Sequence, residues 1–184
     1  VTHNARTVRS IPLVLGGEAP DFLEVRGEVF IDKEEFAKIN REIEEDGLPP
    51  FANPRNLAAG SLKQKDPAVP AKRRMRFFGH STGSLEGMSF SRHSEAREMF
   101  QGIGIPVNPD WKACGDINVV LEYVHSLDER RAALPYMIDG VVVRVNSHEL
   151  QEQLGRTAKS PRWMIACKYP AEEAETRVLD IDVQ

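Results

Sequence analysis

The sequence predicts an α+β domain in which strands are separated by helices of unequal length. Three observations predict it: one stretch alternates as a strand does, several carry the stripe of an amphipathic helix, and no internal repeat or low-complexity segment interrupts them. The alternating stretch is FLEVRGEVFI at 22–31, where Leu23, Val25, Gly27, Val29 and Ile31 share one face while Glu24, Arg26, Glu28 and Phe30 share the other. A half-buried strand follows. Asp32 then stands as a helix N-cap with Glu35 three residues on, the pattern of a capping box; Phe36, Ile39 and Ile43 supply the inward stripe, and Gly47 with Pro49 and Pro50 ends the helix. A second helix is read from Ser94 to Ile103, closed by Gly104, and a third from Asp116 to about Ala133 with Val120, Val124 and Leu127 inward. RFFGHS (76–81), IDGVVVRV (138–145) and WMIACKY (163–169) read as further strands, the middle one apolar enough to be buried on both faces. Between the last two, Ser147 caps a short helix that runs to Leu154 and closes at Gly155.

A chain of 184 residues, 41% hydrophobic and 28% charged, has the balance of a folded domain with a core and argues against disorder. Its net charge of -4 argues against nucleic-acid binding through bulk charge, but the charge is unevenly placed. Arg55, Lys63, Lys65, Lys72, Arg73, Arg74 and Arg76 face a single acid, Asp66, within residues 55–76, a stripe suited to phosphates. Cys114 and Cys167, far apart and with no second pair, fit neither a disulfide framework nor a zinc knuckle, so a reducing, cytoplasmic compartment is expected. No apolar run approaches the roughly 20 residues needed to cross a bilayer, and VTHNARTVRS lacks both an initiating Met and the apolar stretch of a signal peptide. A fragment of a longer protein is the expectation.

Charged residues inside strands carry the most information, because a charge taken out of water is costly unless something pairs with it. Glu28 lies on the polar side of its strand, Arg144 interrupts a Val-rich run, and Lys168 alternates with Cys167 and Tyr169 just before Pro170. They are either solvated outer faces or three strands converging on one polyanionic ligand. The Asp139-Gly140 of MIDGVVVRV poses a further question, since nucleotidyltransferases carry their nucleophile in Lys-x-Asp-Gly and Met137 stands here at the lysine position.

The blocks EVRGEVF, FANPRNLAAGSLKQKDP, IDGVVVRV and SPRWMIACKYP, in that order, resemble the adenylation domain of the bacterial NAD-dependent DNA ligases over nearly the whole chain. The long FANPRN block is the specific one. It disfavours an ATP-dependent ligase, which would share only the shorter strand motifs. The resemblance implies a nucleotidyltransferase core, ATP-grasp-like as in DNA ligases, of antiparallel sheets flanked by helices with NAD in the cleft between them. In that family a lysine attacks the adenylyl phosphorus, nicotinamide mononucleotide leaves, and AMP passes to a 5'-phosphorylated nick that is then sealed. IDGVVVRV resembles the family's later strand motif, in which no lysine is expected; the nucleophilic Lys-x-Asp-Gly lies upstream in the family and does not occur in these residues.

Carried over position by position, the resemblance gives Glu28 to the nucleotide ribose and Lys168 to the reacting phosphate. Arg144 stands where a second lysine is usual, keeping the charge on a planar fork of different reach. Asp139 is expected to position Mg²⁺, and His80 stands where a tyrosine commonly stacks on adenine. Arg55, Arg73 and Arg131 match arginines of the DNA side, and Lys63 replaces one more. The expected organisation is an N-terminally incomplete adenylation domain at 1–172, then a linker and the start of an oligonucleotide-binding (OB-fold) domain at 173–184. Nicked double-stranded DNA and NAD are the expected partners, the protein is expected to be a monomer away from membranes, and this piece alone is expected to be inactive in self-adenylation. The competing expectation is a noncatalytic nucleotide- or DNA-binding module derived from the same fold.

Overall fold

The computed structural model describes residues 1–170, 177 and 179–181; the linker and OB-fold start expected at 173–184 lie largely outside the described residues. Two antiparallel ribbons organise the chain: β1 (Phe22–Ile31) pairs with β2 (Met75–Glu86), and β3 (Gly140–Arg144) pairs with β4 (Met164–Lys168). Between and around them lie α1 (Thr2–Ala5), α2 (Lys33–Glu45), α3 (Pro54–Leu62), α4 (Ala68–Ala71), α5 (His93–Gly102), α6 (Ile117–Arg130), a 3-10 turn at Arg131–Ala133, and α7 (His148–Leu154). A mixed fold of helices with small antiparallel sheets results, as expected of the class.

Three apolar clusters hold these parts together. Val8, Ile31, Ile39, Leu57, Ala58 and Met75 bind α2 and α3 to one end of the first ribbon. Phe100, Ile103, Ile105 and Val107 seat α5 and the segment after it, with Leu23, Val25 and Phe77 against them. The third cluster joins the ribbons: Leu127, Leu134 and Tyr136 pack with Phe30 and Phe78 from the first and Val141 from the second. Phe30, Phe78 and Tyr136 meet there with ring centroids 4.6, 5.5 and 5.7 Å apart, the spacing of tilted and edge-to-face aromatics. The face of β1 read as polar therefore has a half-buried end at Phe30, packed into this cluster, and an exposed end at Glu28.

Helix ends follow local chemistry. Asp116 accepts from the N–H groups of Asn118 and Val119, Ser147 accepts from Leu150, and Gly47, Gly104 and Gly155 take the positive φ that ends a helix. Asp32 corrects the capping-box expectation: α2 starts beside it, but its carboxylate pairs with Arg76 at 3.0 Å, and Glu35 accepts from the Arg74 N–H. The β1–β2 pairing brings Arg76 opposite Phe30, and a guanidinium competes better for a carboxylate than a neutral amide does. The expectation that the 138–145 strand is buried on both faces is also corrected. No residue of β3 is buried and Val142 is 59% exposed, because among the described residues only β4 pairs with it and only one face meets the third cluster. Helix α3 is not among the expected helices: Asn53 caps it by accepting from the Asn56 N–H and Pro54 opens it, but its inward side (Pro54, Leu57, Ala58, Ser61) carries one large apolar residue, too weak a stripe to stand out.

Candidate nucleotide-binding site

Four charged side chains from four different elements meet at the mouth between the ribbons. Glu28 comes from β1, Arg55 from the first turn of α3, Asp139 from the residue before β3, and Lys168 from the end of β4. Arg55 Nη2 lies 3.3 Å from Glu28 Oε1, while Arg55 Nη1 and Lys168 Nζ lie 3.8 and 3.7 Å from the same Asp139 Oδ2. The Asp139 and Lys168 pairing follows from register. Gly140 sits opposite Lys168, the Tyr169 N–H donates to the Asp139 carbonyl at 3.0 Å, and a Cβ at Gly140 would collide with the Cys167 carbonyl and the Lys168 backbone. Only glycine lets β4 come close enough to put these two charges together.

All four side chains are 59–73% exposed. Exposed pairs at such distances contribute little to folding, of order 0–1 kcal/mol each, so the convergence has no structural necessity behind it. Chemically it offers two cations to phosphate oxygens and two carboxylates to hydroxyls or a hard cation. Among the described residues no group of three or more His, Cys, Asp and Glu is placed to hold a metal. The Asp139 carboxylate offers hard oxygen, the ligand type that suits Mg²⁺, an ion that keeps several waters and takes the rest of its shell from phosphates.

His80, exposed, and Arg144, half-buried, lie within electrostatic reach of each other, and His80 within reach of Glu28. His80 Nδ1 is 3.0 Å from the Ser81 hydroxyl; burial pulls its pKa down, the Arg144 charge adds to that, and Glu28 opposes it. His80 thus feels both ends of the cleft. The Arg144 guanidinium rests against the His93 ring, 3.2 Å from both Nδ1 and Nε2, with Nη2 3.4 Å from Met164 Sδ and the Trp163 ring centroid at 5.4 Å. Loss of hydration lowers its pKa. On β3 and β4 the residues Gly140, Val142, Arg144 and Met164, Ala166, Lys168 share one face, so Arg144 and Lys168 occupy opposite ends of the same surface.

The residues expected on the DNA side divide. Arg55 belongs to the four-charge cluster just described. Lys63, at the end of α3, is exposed. Arg131 pairs with Asp128 at 3.4 Å and stacks over Tyr169 at 5.6 Å, one residue from Lys168. Arg73 turns inward, donating from Nη1 to the fully buried Ser61 hydroxyl at 2.6 Å, and burial lowers its pKa. Sequence reasoning overlooked His93 and Trp163 as the support of Arg144. Trp163 at least stood within the SPRWMIACKYP block, whereas nothing marked His93.

Comparison with known proteins agrees with this architecture. A profile of the NAD-dependent DNA ligase adenylation domain matches residues 1–172. The chain is 50% identical over 183 residues to a DNA ligase of Syntrophomonas wolfei, 46% over 184 residues to one of Desulforamulus reducens, and 50% over 183 residues to one of Acetivibrio thermocellus. Each match covers 100% of this chain and 27–28% of the relative, so the chain spans little more than a quarter of the curated relatives' length. The ordered sequence blocks, the paired antiparallel ribbons and the match along nearly the whole chain agree, and the chain belongs to the NAD-dependent DNA ligase adenylation domain family.

Proposed function

We propose that this chain is the nucleotide-binding body of a DNA ligase that draws its adenylyl group from NAD and seals 5'-phosphorylated nicks. The observation that carries the reading is the convergence of Glu28, Arg55, Asp139 and Lys168 from four elements on one solvent-open mouth. NAD, when bound, supplies the adenylyl phosphoryl group. Lys168 holds a non-bridging phosphate oxygen, where charge spreads as the group transfers. Glu28 accepts from the ribose hydroxyls, His80 lies against the base, and Arg144 supplies a second fixed cation. Asp139 would hold Mg²⁺ by one carboxylate oxygen and so add positive charge beside the phosphates. No Lys-x-Asp-Gly occurs within these residues, so in this reading the attacking lysine comes from another part of the protein.

Arg55, Lys63 and Arg131 are assigned to the DNA backbone. Arg55 can exchange its 3.8 Å pairing to Asp139 for a DNA phosphate, and such contacts give affinity without sequence preference. The test is made in the intact protein that carries this chain. Lys168→Ala should lower lysyl-AMP formation from NAD by about 100- to 1,000-fold, the range seen when a charge-stabilising donor is removed. Wild-type self-adenylation by that variant would refute the assignment.

A further inference from the structure

His93 opens α5, and its place is set by an unusually complete tie between residues 90–94 and 146–148. The His93 N–H donates to the Asn146 carbonyl at 2.8 Å, the Ser94 N–H donates to Asn146 Oδ1 at 2.9 Å, and Asn146 Nδ2 donates to the Ser94 hydroxyl at 3.1 Å. The His148 N–H adds a bond to the Ser91 carbonyl at 2.9 Å, beside an antiparallel bridge between Arg92 and Ser147. Asn146 lies two residues past Arg144, so these bonds register the imidazole against the end of β3. Arg144 Nη1 is 3.2 Å from each ring nitrogen, which a single linear hydrogen bond does not give; the guanidinium lies against the ring. Trp163 supplies a second aromatic surface, held by the bond from the Val145 N–H to the Trp163 carbonyl at 2.9 Å.

The charges around Arg144 are what make this cradle unusual. Among the described residues Arg144 forms no ion pair, and His80, His93 and Arg97, whose charges interact with it, are neutral or cationic. A guanidinium that has lost part of its hydration ordinarily takes a carboxylate partner. Here aromatic faces and a thioether fix the geometry and leave the positive charge uncompensated, which is the arrangement required of a cation whose counter-charge arrives with a ligand. The neutral imidazole suits that role, because its protonation would set two cations in contact.

We propose that His93 is a positioning residue for nucleotide binding, holding the Arg144 guanidinium in the orientation that receives NAD. The inference rests on the reading of Arg144 as a nucleotide contact. The intact protein is assayed for lysyl-AMP formation, measuring KM for NAD and kcat for His93→Ala, His93→Phe, Arg144→Ala and the double variant His93→Ala/Arg144→Ala. His93→Ala should raise KM about tenfold with kcat nearly unchanged, His93→Phe, which keeps an aromatic face for the guanidinium, should restore most of the loss, and the double variant should be no worse than Arg144→Ala alone. If His93→Ala fails to fold, His93→Leu takes its place, since it keeps the volume without the nitrogens or the ring. Unchanged KM in the folded truncation (His93→Ala or His93→Leu), no recovery in His93→Phe, or an equal rise from His93→Ala in the Arg144→Ala background overturns the proposal. Wild-type KM for Arg144→Ala would instead remove the nucleotide reading of Arg144 itself, and the proposal with it.

Discussion

Arg55 and Arg73 lie in one basic run, yet the structure gives them opposite consequences when truncated. Ser61 is fully buried; its hydroxyl donates to the Leu57 carbonyl at 2.6 Å and accepts from Arg73 Nη1 at 2.6 Å. Arg73→Ala removes the second bond, and a hydrogen bond from a charged donor contributes about 1.5–3 kcal/mol. Two terms reduce that figure. The hydroxyl keeps its bond to Leu57, so it is not orphaned, and the guanidinium no longer has to be desolvated, the effect that lowers its pKa. A net loss of about 1–2 kcal/mol remains, equivalent to a fall in Tm of roughly 2–8 °C for a domain of this size. Arg55→Ala, at a side chain 72% exposed with pairings of 3.3 and 3.8 Å, should leave stability within about 0.5 kcal/mol of wild type. Arg55→Ala should instead lower the salt slope of nicked-DNA binding by about one unit in the intact protein, as loss of one phosphate contact does. Thermal unfolding of the chain and a salt series of DNA binding are measured for both variants. An Arg73→Ala variant that melts as wild type does, but loses one unit of salt slope, would refute the inward assignment of Arg73.

The chain of 184 residues incubated with NAD and Mg²⁺ should gain no AMP on intact-mass measurement, since it contains no Lys-x-Asp-Gly and Lys168 pairs with Asp139 and is proposed to act on the phosphate as a stabiliser; a stable adduct on any lysine would contradict this. Gly140→Ala should separate Asp139 from Lys168, because the added methyl meets the Cys167 carbonyl, and intact protein carrying it should show a raised KM for NAD; a wild-type value would show that the close approach is dispensable. The His93 pKa is pushed down to about 3, first by burial and then by the Arg144 charge, so the folded chain refuses a proton that the unfolded chain takes up near pH 6.5. Stability should therefore fall as pH drops below about 6.5, with His80 acting in the same direction. At pH 5 the His93 contribution is at most about 2 kcal/mol, reduced by whatever water reaches the ring. Urea unfolding at pH 7 and 5 checks it, and a His93→Gln variant with the same pH dependence as wild type would show that this histidine is not the source.

The amino-acid sequence by itself determined where most elements begin and end, because the signals involved are local. Alternation in FLEVRGEVFI, the Asp116 and Ser147 caps and the glycines after three helices each act over a few residues. The ordered blocks also sufficed for the family, to which the profile match assigns residues 1–172. What the sequence did not carry was which charge meets which. Periodicity can place Glu28 on the polar side of β1, but only the packing of α3 brings Arg55 to it, and only the β3–β4 register with Gly140 brings Lys168 to Asp139. The same holds for the basic run, where neighbouring cations of one type were read as one surface. The tertiary structure sends Arg73 to a buried hydroxyl and leaves Arg55 at the cleft, because the rolling of α3 onto the first ribbon decides which side of it faces the core. Burial of β3 was likewise misjudged: hydrophobicity is a property of the strand, whereas burial depends on how many neighbours cover it, and among the described residues only β4 pairs with it.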